Sequence, residues 1–133
     1  MTFRRTRNFL RWLLGVFFVV AGIGHFVAPR FYLAIMPSAL PWPVALIYIS
    51  GVAEILGGLG VLLPATRKLA GWGLIVLLVA VFPANIYAAL HGMGSIPSWI
   101  LWARLPFQIV FIAWVDWSSV SSIPARPGPP VTP

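Results

Sequence analysis

Cysteine is absent from this 133-residue chain, and its acidic residues number two, Glu54 and Asp116. The first absence removes disulfide frameworks, thiolate catalysis and iron–sulfur ligation from anything the chain does alone. Charge of any kind is scarce: 8% of residues are charged, against about 25% in a typical soluble domain, and 60% are hydrophobic. That composition excludes a soluble fold and defines an integral membrane protein. No strand pattern precedes a glycine-rich loop, so phosphate cradles are excluded as well, and the glycines around Glu54 read as packing residues. One Glu, one Asp and two His at different depths do not form a metal signature.

The formal charge is +7. A basic chain can mark a nucleic-acid binder, but here the basic residues sit at the ends of apolar runs rather than on a solvated face. They orient the chain in a bilayer, and nucleic acid is not an expected partner.

Four apolar runs remain, which predicts an all-α, four-transmembrane-helix bundle with helices at about 12–28, 44–63, 69–90 and 99–117. These form one domain over residues 1–117. The tail 118–133, rich in Ser and Pro, reads as disordered and cytoplasmic. Arg4, Arg5, Arg7 and Arg11 precede the first run; a cleaved signal peptide fits the same pattern, but the run is long for a signal core and Pro29 follows the only small-residue cleavage candidate. Arg67 and Lys68 mark the turn between the second and third runs. Seven of the nine basic residues thus fall at the N-terminus, in that turn or in the tail, placing both termini in the cytoplasm. Between helices 1 and 2, the segment from Phe31 to Met36 is too apolar for a solvated loop and too short to span. It is expected to lie in the interface, as an anchor or as a lid.

Polar groups inside the runs carry the functional signal. Arg104-Leu105-Pro106-Phe107-Gln108 puts a guanidinium, a helix breaker and an amide in the fourth run, and Arg at mid-bilayer costs about 2.5–3.5 kcal/mol on insertion scales. Glu54 is the only acid within a run, Asp116 sitting at the cytoplasmic end of the fourth. Pro83 frees the Val79 carbonyl, and Asn85 two residues later reads as repair of that break. Counted at about 1.5 Å per residue, His25, Asn85, Arg104, Glu54 and Gln108 fall in the outer half of the bilayer. The pattern predicts an Arg104–Glu54 ion pair supported by Asn85 and Gln108, at the floor of a pocket whose mouth is flanked by His25 and Tyr32. Bland alternatives stay open: Arg104 snorkelling outward, the pair as structural glue, and His25 as a hydrogen-bonded helix-end residue. A haem between His25 and His91 has no further signature behind it.

The series Ala-Gly-Ile-Gly-His25-Phe, Ser50-Gly-Val-Ala-Glu54-Ile-Leu-Gly-Gly-Leu-Gly, Pro64 with Arg67, Val-Phe-Pro83-Ala-Asn85-Ile and Arg104-Leu-Pro106-Phe-Gln108 resembles the DoxX-like family of small bacterial four-helix membrane proteins. The resemblance spans about residues 12–117 and implies a location in the bacterial cytoplasmic membrane. It implies the four-helix fold and an association with redox complexes, since the family takes its name from subunits of an archaeal thiosulfate:quinone oxidoreductase and has mycobacterial relatives linked to an oxidoreductase complex. Thiosulfate chemistry does not transfer to a chain without cysteine. Two readings from different classes follow. One is a redox-associated subunit binding a quinone or another lipophilic molecule through His25, Tyr32, Glu54, Asn85, Arg104 and Gln108. The other is a non-catalytic assembly partner of another membrane protein or a homo-oligomer, built on small-residue faces. Anion transport ranks last, because the cytoplasmic half offers no polar path.

Overall fold

The computed structural model describes residues 2–121 and Gly128. Helix α1 spans Phe3–Val27, α2 Pro29–Leu33, α3 Pro43–Leu62, α4 Arg67–His91 and α5 Ser98–Val115, and a π-helical turn, Asp116–Val120, continues α5. Among the described residues four helices are long and apolar enough to cross a membrane: α1, α3, α4, and α5 with its π-helical extension. Their outward faces are covered with exposed Val, Leu, Ile, Phe and Trp, a surface suited to lipid rather than water.

Helix ends fall where the chain chemistry puts them. Val27 is the last residue of α1 because Ala28 precedes Pro29, and a residue before proline is driven out of the helical region. Pro43 opens α3 at its first turn, where a missing N–H is harmless. Trp42 before it takes φ 49°, a left-handed conformation rare for a bulky residue. Gly92, at φ 79°, ends α4. Two expectations are corrected. Helix α1 starts at Phe3 rather than near residue 12, because the arginine-rich stretch contains neither proline nor glycine and continues the helix. Ser118–Val120 belong to the π-helical turn rather than to a disordered tail, with Ser118 and Ser119 buried. The rest of the expected tail lies outside the described residues, apart from Gly128.

Glycine sets the closest helix pair. A Cβ on Gly15 would come within 2.8 Å of the Gly58 carbonyl oxygen, and one on Gly22 within 2.6 Å of the Gly51 oxygen. The backbones of α1 and α3 therefore touch at two levels, the kind of close approach that drives helix association where lipid removes the hydrophobic effect. Two apolar cores complete the bundle: Leu14, Phe18, Val61, Leu74 and Val115 at the end carrying the chain's N-terminus, and Ile35, Ala88, Ala89, Met93 and Leu101 at the other.

The end nearest the N-terminus holds an arrangement that the charge pattern did not announce. Arg7 and Arg11 are 6% and 7% exposed. Arg11 Nε donates to the Ser118 carbonyl at 2.7 Å, its Nη1 to Asn8 Oδ1 at 2.9 Å, and Arg7 to the Ser121 carbonyl. These are orphan carbonyls at the end of the last helix, where the macrodipole also favours a cation. Two of the arginines expected only to orient the chain thus tie α1 to the C-terminal end of α5.

Candidate functional site

All six sequence-selected residues line one cavity of about 340 Å³. Helix α1 supplies His25, α2 Tyr32, α3 Glu54, α4 Asn85, and α5 Arg104 and Gln108, so every helix of the fold contributes. Most of the remaining lining is apolar, with Phe17, Phe18, Phe107 and Phe111 the largest members.

The pairing inside the cavity differs from the expectation. Glu54 does not pair with Arg104; its Oε2 lies 3.4 Å from His25 Nδ1. The reason is positional. Helix α1 is locked antiparallel onto α3 at Gly22 and Gly51, so His25 and Glu54 stand on opposite sides of that level; each side chain leans toward the N-terminus of its own helix, and the two meet across it. Arg104 stands on α5 and lines the cavity without a hydrogen-bond or ion-pair partner among the described residues.

The Glu54–His25 contact is itself incomplete. His25 Nδ1 is 3.0 Å from the Ala21 carbonyl, and a carbonyl only accepts, so Nδ1 carries a proton directed along its own helix. Glu54 Oε2 is buried and has no hydrogen-bond partner. An unsatisfied buried carboxyl oxygen costs about 1–3 kcal/mol and marks a place where a partner belongs.

Tyr32 stacks on the other side of the imidazole, with ring centroids 3.8 Å apart and planes 21° from parallel. Burial, and then the Glu54 carboxyl, push its phenol above the ordinary range, while Arg104 pulls it back down. Both charged groups therefore act on Tyr32, although they do not meet each other.

Asn85 and Gln108 form a separate device. Asn85 Nδ2 donates to Gln108 Oε1 at 2.6 Å, and Gln108 Nε2 donates to the Leu78 carbonyl. The expected repair of the Pro83 break by Asn85 is not what the structure shows: Asn85 donates to Gln108, which bonds the Leu78 carbonyl and not the freed Val79 carbonyl, so the two amides tie α5 to α4. Both helices run on through their prolines, Pro83 and Pro106. With both ends of its amide used, Gln108 is a wall of the cavity, and the free polar groups are Arg104 and Glu54. His91 stacks on Tyr87 outside the cavity, which separates the two histidines that a haem would need together.

Four transmembrane-type helices around an aromatic-lined, largely apolar cavity that holds a few polar side chains define the class as a small multi-pass membrane protein with an internal pocket. The chain belongs to the family described as Domain of unknown function (DUF8561), whose profile matches residues 14–119. No curated protein and no solved structure matches it.

Proposed function

We propose that this protein sits in the bacterial cytoplasmic membrane with both termini in the cytoplasm. In this reading it is a DoxX-like, redox-associated subunit that binds a quinone-like or other lipophilic molecule in the outer half of the bilayer. One observation carries the binding reading: Arg104 and the Glu54 carboxyl, each lacking a hydrogen-bond partner, line one largely apolar cavity. Charged groups inside a membrane protein are costly, and two left free in one pocket await a ligand. The Arg104 guanidinium would donate to one ligand oxygen. Glu54, with His25 at its side and Tyr32 stacked behind, would accept or return a proton at another. A bound quinone would supply the electron-accepting chemistry; the chain supplies position, hydrogen bonds and a dry surrounding. The DoxX-like resemblance supports the redox association through the residue pattern alone.

Titration of the reconstituted protein with labelled quinone, corrected for partition into lipid, tests this reading. Saturable binding that Arg104→Ala abolishes is expected. Its absence, or its survival in that variant, refutes it.

A second reading, assembly partner for another membrane protein, is supported by an outward groove of about 540 Å³ between α3 and α4, lined by Ala53, Gly57, Gly60, Ala70 and Gly73. Crosslinking in native membranes distinguishes it: a reproducible partner that persists when Glu54 and Arg104 are both replaced favours this account.

A further inference from the structure

The cavity's walls differ in how they are closed. The α1–α3 seam is sealed by backbone against backbone at Gly15–Gly58 and Gly22–Gly51. The α4–α5 seam is tied by Gln108 to Asn85 and to the Leu78 carbonyl. At the end away from the N-terminus, the chain after α2 crosses over the bundle. Ile35, 7% exposed, is buried with Ala88, Ala89, Met93 and Leu101, and Tyr32 lies flat on His25 beneath this roof. At the opposite end Arg11 closes α1 onto Ser118.

The α1–α5 seam is different. Between those two ends the backbones of α1 and α5 make no extended approach. Side chains alone bridge the gap, chiefly Phe17 stacked on Phe111 with centroids 4.8 Å apart. Of the residues lining the cavity, the exposed ones are Phe17 and Phe107, at 46% and 62%, and they stand on the two sides of this seam. A wall made of rings opens by rotamer change, whereas a wall made of backbone does not.

We propose that the cavity is entered sideways from the bilayer, between α1 and α5, past a Phe17–Phe111 gate. The ligand class follows: an amphiphile whose polar head reaches Arg104 and Glu54 while its hydrocarbon tail stays in the seam beside Phe17 and Phe107. The choice of ligand rests on the pocket reading above; the route rests on the seam.

The absence of cysteine makes access measurable with one introduced thiol. Ser50 lines the cavity, and Ser50→Cys is close to isosteric. In proteoliposomes, an apolar maleimide dissolved in the bilayer is expected to label Ser50→Cys, and a charged, impermeant thiosulfonate reagent applied from either face is not. Adding Phe17→Ala or Phe111→Ala is expected to speed apolar labelling severalfold without admitting the charged reagent, which an unfolded variant would admit. Trp12→Ala, equally outward but off the cavity, leaves both rates unchanged. Charged labelling as fast as apolar labelling overturns the lateral route. So does an apolar rate that neither phenylalanine variant alters. Failure to bind labelled quinone, with these labelling results intact, would remove the quinone and leave the portal standing.

Discussion

His25 Nδ1 lies 3.4 Å from Glu54 Oε2, yet its proton is directed at the Ala21 carbonyl, so an acid and a base touch inside the bundle without a hydrogen bond between them. A buried pair that were structural glue would use its geometry fully. This one keeps a buried carboxyl oxygen unsatisfied on a residue that lines the cavity.

Glu54→Gln should therefore separate stability from binding. It keeps the shape and removes the charge, so thermal unfolding in detergent should shift by less than about 0.5 kcal/mol, or toward higher stability. Binding of a quinone probe should fall. A loss of more than about 2 kcal/mol would assign Glu54 to the fold instead.

Gln108→Leu should destabilise by about 1–3 kcal/mol, because it leaves the Asn85 amide and the Leu78 carbonyl without their partner. In the double variant with Asn85→Leu, the two losses should sum to less than their separate values, as expected for residues in one network. Urea or thermal unfolding of the three proteins in one detergent supplies the cycle.

Gly22→Ala should cost about 1–3 kcal/mol, since the added methyl would sit 2.6 Å from the Gly51 oxygen and force α1 off α3. Gly73→Ala meets nothing within 4 Å and should be neutral. Melting temperatures of the two variants, side by side, test whether the α1–α3 seam is the rigid one.

Arg11→Ala should cost about 1.5–3 kcal/mol, the range for hydrogen bonds to a charged group. The loss should be local. Hydrogen exchange of the amides in Asp116–Val120 should accelerate while that of α3 stays unchanged, because Arg11 holds the carbonyl of Ser118.

The number and rough limits of the membrane-type helices were legible because lipid imposes long apolar runs that proline, glycine and arginine punctuate. So was the meeting of six polar residues in one cavity, since a polar side chain deep in an apolar run is costly against lipid. The pairing was not legible. Depth along each helix places Glu54 near Arg104 as well as near His25, and only the docking of α1 on α3 through Gly22 and Gly51 decides between them. Gln108 and Asn85 were legible as polar partners, but their bond to each other and to the Leu78 carbonyl depends on how α5 lies against α4. The burial of Arg7 and Arg11 escaped for a related reason: a basic cluster ahead of an apolar run reads as an orientation signal, and the carbonyl that Arg11 meets lies 107 residues away.

The most direct measurement is the distance between the Arg104 guanidinium and a bound ligand oxygen. Solid-state NMR on ¹⁵N-arginine protein in lipid, with a quinone carrying ¹³C at its carbonyls, reads that proximity as dipolar dephasing. The account predicts dephasing that disappears in Arg104→Lys, where the guanidinium nitrogens are gone. Dephasing that persists in Arg104→Lys, or none in the unmodified protein under saturating quinone, would contradict it.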